Sequence, residues 1–364
     1  MENIARYKMS FGNAVLYDDL IWFVAVEEPW LCKLDLNNYI AEKVCDLSEK
    51  KHTAFQYQIA SCVDGYIVIM PMIGDCVIGY DIETNTLNKW PIEKIEIPYG
   101  VSVKFRSAFV VNNSTWILPQ GANGIIEFNH ITKQVIEYDK AFDDISGMEV
   151  HAGAFFGKGC MKDDSVWLPC LFTNGAYEYN IKQKKGIFHS IGHSDNAYEV
   201  CTFIGGKILL VDNRKQMLVC YDVCTNLIVS EIDFSCDFGV DDALKNLLNA
   251  ERYKIYGMLN IDKRVLLIPL CGNSFLIFDD ENGTIKEYDK KLEGEMYMSY
   301  VALADNQYII CTQTSNKPIL FSVKNGIEQK EVFTKANYKY LDTICETNMM
   351  LEDFIDAIVH KNNS

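Results

Sequence analysis

The sequence predicts an all-β protein, a seven-bladed β-propeller of four-stranded antiparallel blades, and three observations carry that expectation. The first is a constant spacing: Trp22/Asp35, Val68/Asp81, Trp116/Asn129, Trp167/Asn180, Leu209/Asp222, Leu266/Asp279 and Ile309/Ser322 are each separated by 13 residues. The second is the period, since the closing positions of these pairs step by 46, 48, 51, 42, 57 and 43 residues, the range of propeller repeats. The third is a turn ahead of each pair: Asp18-Asp19, Asp64-Gly65, Asn112-Asn113, Asp163-Asp164, Gly205-Gly206, Asp262-Lys263 and Asp305-Asn306. Mostly Gly, Asn and Asp, these residues reach positive φ cheaply, as two-residue hairpins require.

Each unit then reads strand by strand. A short apolar first strand feeds the turn. The second strand is a near-continuous apolar run, as in Tyr66-Ile-Val-Ile-Met and Arg264-Val-Leu-Leu-Ile, which suits a strand covered on both faces. Pro71, Pro119, Pro169 and Pro269 close it where a missing N–H costs least. The third strand ends in an aromatic followed by Asp or Asn (Tyr80-Asp81, Phe128-Asn129, Tyr179-Asn180, Tyr221-Asp222, Phe278-Asp279), the signature of a strand running into an Asx-type turn. A more polar fourth strand, such as Gln134-Val-Ile-Glu-Tyr, fits the rim.

Two stretches depart from the strand pattern. Ala243, Leu244, Leu247 and Leu248 recur at helical spacing, which predicts a short helix inserted at about 240–251. Met350, Leu351, Phe354, Ile355 and Ile358 share one face of a second predicted helix. The expected organisation is a propeller over 1–334 and a helical tail over 335–364, docked on the propeller or offered to a partner. Residues 2 to 9 either add an outer strand to the last blade or lead into the first.

Gly65-Tyr66 through Tyr80-Asp81-Ile-Glu-Thr-Asn-Thr-Leu-Asn-Lys-Trp90 resembles a Kelch-type repeat, and Gly205-Gly206-Lys-Ile-Leu-Leu followed by Tyr221-Asp222 is similar to a second copy. The glycine doublet is absent from most other blades, and the late Trp does not recur after Trp90. The resemblance implies a propeller, and Kelch-like propellers include both binding modules and enzymes such as sugar epimerases and oxidases. It transfers no catalytic residue to this chain.

Composition narrows the function classes. A net charge of −16 disfavours nucleic acid and anionic membrane surfaces as partners, because both reward basic patches. The start, Met1-Glu-Asn-Ile-Ala-Arg-Tyr-Lys, has no apolar stretch of signal type, and the 13 cysteines are odd in number with no Cys-x-x-Cys pair. We therefore expect a cytoplasmic protein whose cysteines act as small buried hydrophobes. No phosphate-binding glycine loop or nucleophile elbow occurs, so no cofactor is expected. His189 and His193 are not on a helix, so no metal site is expected either.

The candidate site follows from the ring. Loops that lead into the innermost strands gather on one face, at the mouth of the central channel. Aligning those strands on their apolar cores places Asn13, Gln58, Arg106, His151, Glu199, Lys254 and Ser299 at equivalent positions, with Tyr57, Tyr198, Tyr253, Tyr256, Tyr297 and Tyr300 nearby. Gln58, Arg106, Glu199, Lys254, Tyr57 and Tyr198 become candidate ligand-binding residues. In the loops between second and third strands, Trp30, Asp212, Asn213 and Arg214 break the register of the recurring Asn and Asp, and Trp30, Asp212 and Arg214 join the ligand-binding candidates. His151, Tyr256 and Tyr300 are the candidate proton carriers, with Arg106 and Lys254 placed to stabilise a carboxylate or enolate. The expected function is recognition of a small polar molecule, glycan or peptide. The alternatives are lyase- or epimerase-type acid–base chemistry in the same pocket, or a platform for a protein partner. A polar ring holding only ordered water, with Arg106 and Glu199 as a structural ion pair, is the remaining possibility.

Overall fold

The computed structural model describes residues 4–5, 11–25, 28–48, 56–98, 103–142, 156–234, 254–271, 274–288, 297–303, 307–312, 319–322, 326–329 and 333–335. Their strands form seven sheets, each built on four antiparallel strands in chain order, with two further strands added to the first. The innermost strands are Phe11–Tyr17, Tyr57–Val63, Phe105–Val111, Cys160–Lys162, Val200–Ile204, Lys254–Ile261 and Tyr297–Ala302, which open blades 1 to 7 in turn. The described residues hold strands and turns but no helix, and the helices expected at 240–251 and in the 335–364 tail lie outside them.

Burial explains the strand patterning. The second strands Tyr66–Pro71, Ser114–Pro119 and Ser165–Pro169 are buried along their whole length, each pressed between the preceding and the following sheet. The fourth strand Thr86–Pro91 alternates between exposed and half-buried, as a rim strand must. Seven apolar cores form between successive blades. Trp22 and Ile67 join blades 1 and 2, Val68 and Ile117 blades 2 and 3, and Trp116 and Val166 blades 3 and 4. Trp167 and Ile208 join blades 4 and 5, Leu209 and Val265 blades 5 and 6, and Leu266 and Ile310 blades 6 and 7. The seventh packs Val301 and Ile309 of blade 7 against Ile21, Phe23 and Leu34 of blade 1. A cyclic series of cores is a closed ring.

Closure is sealed at the rim of blade 1. Phe333–Lys335 pairs in parallel with Ile40–Asp46, with Phe333 opposite Ile40, and Ile4–Ala5 pairs with Phe333–Lys335 on its far side. The early residues thus extend the first blade and not the last.

The hairpin between first and second strands has a left-handed first turn residue in six blades: Asp18, Asp64, Asn112, Asp163, Gly205 and Asp262. The turn after the third strand is equally regular. Asp81 Oδ1 accepts from the backbone N–H of Glu83 and Thr84 at 3.0 Å each, and Asn129 Oδ1 accepts from Ile131 and Thr132 at 3.0 and 2.9 Å. Asn180, Asp222 and Asp279 repeat the arrangement. Four residues after each closing Asp or Asn, the chain takes a positive φ, at Tyr39, Asn85, Lys133, Lys184, Asn226 and Gly283.

Candidate functional site

The inner strands begin at one mouth of the ring, and most carry a β-bulge there. Register shifts occur between Phe11 and Ala14, Ile59 and Ser61, Phe105 and Ser107, Ile255 and Gly257, and Tyr297 and Ser299. A bulge leaves one residue out of the ladder and re-aims its side chain. Arg106 and Tyr256 are the residues so released in blades 3 and 6. Their side chains meet: the Arg106 guanidinium carbon lies 4.3 Å from the centroid of the Tyr256 ring. Blades 3 and 6 are not neighbours, so this contact crosses the axis.

Around this pair the mouth is built from blades 4 to 6. Lys158 Nζ lies 6.0 Å from the same Tyr256 ring. Lys158 is fixed by a parallel bridge between the inner strands of blades 4 and 5: its N–H donates to Glu199 O at 2.7 Å, and Cys201 N–H donates to Lys158 O at 3.1 Å. This approach needs glycine beside it, because a Cβ on Gly157 would stand 2.1 Å from Glu199 O. Glu199 is not paired with Arg106. Its carboxylate accepts from Asn213 Nδ2 at 2.7 Å, and Asn213 also clamps blade 6 by donating to Ile255 O at 2.7 Å and accepting from Ile255 N–H at 2.8 Å.

Arg106 is 4% exposed, and its Nε has no hydrogen-bond partner among the described residues. Gln58 is buried beside its bulge, and Lys254 is half-buried at the start of the blade 6 inner strand. The structure thus brings Arg106, Lys158, Glu199 and Tyr256 to one end of the axis, with Gln58 and Lys254 on the same rim. His151 lies outside the described residues.

Other sequence-predicted residues sit elsewhere. Tyr57 and Tyr198 are core side chains of the blade 1/2 and 4/5 interfaces, with the Tyr198 hydroxyl donating to Ile191 O at 3.1 Å. Burial, then the Asp212 charge, pushes the Tyr198 hydroxyl well above the usual tyrosine range. Tyr300 packs edge-on to Tyr308 at 6.3 Å, and burial raises its pKa as well. Trp30 belongs to the blade 7/1 core, under Lys43 Nζ at 4.1 Å. Asp212 is fully buried and accepts from Asn196 Nδ2 and from the N–H groups of Ala197, Arg214 and Lys215, so its carboxylate is a loop anchor. Arg214 donates to Asp195 O at 3.1 Å on the surface. His189 is stacked 4.5 Å over Trp167 and hydrogen-bonded to Glu178 at 3.0 Å.

Lys158 is the residue that sequence reasoning missed, whereas Asn213, singled out with Asp212 and Arg214, stands at the mouth. Gly153-Ala-Phe reads as the blade 4 inner strand, which assigns His151 to the mouth. Gly153-Ala-Phe155 lies outside the described residues; within them the blade 4 inner strand is Cys160–Lys162, preceded by Phe156 bridged to Cys170 and Gly157 N–H donating to Pro169 O. A signal for this lay in the prolines. Phe105 is opposite Pro119, and Ile255 opposite Pro269, so counting from Pro169 sets Lys158 where Arg106 and Tyr256 stand.

No known protein family and no curated protein matches the chain, so the likeness to Kelch-type repeats rests on the quoted residues alone. Solved structures match it over nearly the whole ring. A streptogramin B lyase superposes with a TM-score of 0.63 at 12% identity, covering 90% of this chain and 98% of the lyase. YCF48 bound to D1 peptide gives 0.60 at 12% identity, covering 91% and 96%. Virginiamycin B lyase from Staphylococcus aureus with quinupristin gives 0.55 at 12% identity, covering 76% and 85%. At such identity the likeness shows the seven-bladed propeller fold.

Proposed function

We propose that this propeller is a recognition module, holding a small polar ligand, glycan or peptide at the mouth where the inner strands begin. One observation carries the reading: Arg106 is buried on the face of Tyr256 with an N–H that no described residue satisfies. A buried cation without a partner costs several kcal/mol, and stacking on an aromatic ring recovers only about 1–2 kcal/mol of that. Glu199, the acid described at this mouth, is bound to Asn213 and not to this cation. Similar propellers are described with a D1 peptide or with quinupristin, which supports a ligand-holding use of the fold.

Recognition is favoured over acid–base catalysis by the described proton carriers. Tyr300 is held protonated by burial, and the Tyr256 face is covered by Arg106. The test is a thermal-shift and calorimetric screen of peptides, oligosaccharides and small polar metabolites against wild type and Tyr256→Leu. Compounds that bind at the mouth should stabilise the wild type and lose at least about tenfold in affinity in the variant. Binding that ignores Tyr256→Leu would place the ligand elsewhere, and turnover of any bound compound would move the reading to an enzyme.

A further inference from the structure

The mouth also specifies the chemistry of its ligand. Resting on the channel-mouth reading, we infer that the bound molecule presents a carboxylate, which docks against the Arg106 guanidinium. Arg106 is the cation whose guanidinium is stacked on Tyr256, and the Glu199 carboxylate at the same mouth is turned to Asn213. A local positive charge inside a protein of net charge −16 runs against the overall balance, so it has to be held by specific burial and stacking.

The available donors select carboxylate over phosphate. Phosphate sites are usually lined by free backbone N–H groups, as at helix N-termini and glycine-rich loops. Here the N–H groups of Gly157, Lys158, Gly159, Glu199 and Ile255 are consumed by Pro169 O, Glu199 O, Ser107 Oγ, Val211 O and Asn213 Oδ1. Among the described groups, the Arg106 guanidinium is a planar fork with its Nε unpaired and its face fixed on Tyr256. A fork whose plane is held by stacking matches a planar carboxylate through two parallel N–H···O bonds. The Tyr256 ring then forms the wall against which the rest of the ligand lies.

The shared chemistry fits a free small acid or the C-terminus of a peptide, and the experiment separates the two. Wild-type protein, Arg106→Met and Arg106→Lys are titrated calorimetrically with acetate, succinate and glutarate, with inorganic phosphate, and with the tripeptide Gly-Gly-Tyr as free acid and as C-terminal amide. At least one carboxylate should bind saturably. Its affinity should fall about 30-fold in Arg106→Met and about tenfold in Arg106→Lys, which keeps the charge but not the fork. Preference for the tripeptide acid over its amide assigns a peptide end, and preference for the dicarboxylates assigns a small acid.

Unliganded Arg106→Met should melt at or above the wild-type temperature, because it removes a buried unpaired charge. A marked drop instead would mean that Arg106 is a structural partner, and would overturn the inference. Phosphate binding as tightly as the best carboxylate, no carboxylate binding at all, or unchanged affinity in Arg106→Met would each overturn it too. Should Arg106→Met fail to fold, Arg106→Lys and the wild-type comparison of succinate with phosphate still decide. If instead the amide or a neutral sugar binds, is lost in Tyr256→Leu and has no carboxylate competitor, recognition at the mouth stands and the carboxylate falls.

Discussion

The rims of the blades and their axial ends follow opposite rules. At the rim, six turns repeat one geometry: a closing Asp or Asn and a left-handed residue four positions on. At the axis, no two positions are alike: Arg106 and Tyr256 are released by the bulges of blades 3 and 6, and Lys158 and Glu199 stand at the blade 4/5 bridge. Repetition marks what every blade needs in order to fold. Divergence at equivalent positions of one ring marks what the folded ring is free to use.

Substitutions should separate these rules by size. The largest effect belongs to the inter-blade cores. Trp167 is 2% exposed, stacked on His189 and edge-on to Phe203, so Trp167→Ala should cost about 4 kcal/mol in urea unfolding. A loss below about 1 kcal/mol would mean that blades 4 and 5 are not joined as described.

Next comes a buried network between blades 2 and 3, where Ser61 Oγ lies 2.6 Å from Thr115 Oγ1, itself 2.7 Å from His130 Nε2. Burial, then the Lys133 charge, lowers His130 from 6.5 to about 4. The folded state therefore holds the imidazole neutral where the unfolded chain would protonate it. This stabilisation is intact above pH 6.5 and is lost as the pH falls toward 4, by at most about 3 kcal/mol. His130→Gln should flatten that limb of the stability profile, and an unchanged limb would assign it to other groups.

Asn213 sharpens the comparison, since it lies at the mouth yet behaves like a rim residue. Asn213→Ala leaves the Ile255 N–H and C=O unpaired, and should cost about 2 kcal/mol in chemical denaturation. Its effect on ligand affinity should be smaller than that of Arg106→Met. The smallest effects belong to the turns. Asn129→Ala should lose about 1 kcal/mol, while Asp81→Asn should keep the turn and remove only an acid-sensitive contribution. Backbone N–H groups, that of Thr84 foremost, hold the Asp81 carboxyl below 3.8, so its contribution fades as the pH drops below that value.

The legible part of the sequence was the repeated part. Turn residues such as Asp64-Gly65 and closing residues such as Asp81 announce themselves because backbone conformation allows few alternatives there. The mouth was harder to read, because a bulge inserts one residue and so breaks the counting that the rest of the repeat obeys. Lys254 and Tyr256 illustrate this: apolar alignment nominates Lys254 for the ring position and Tyr256 only as a neighbour, while the shift between Ile255 and Gly257 releases Tyr256 from the ladder. Tyr57 and Tyr198 look like site aromatics by position, yet their ring faces complete inter-blade cores. Arg106 was found in both ways because its bulge falls where the apolar pattern also starts.

The stack of Arg106 on Tyr256 has a topological consequence. Side chains from non-adjacent blades meet across the hole of the torus, so the stack joins two sheets that share no interface and narrows the passage at that level.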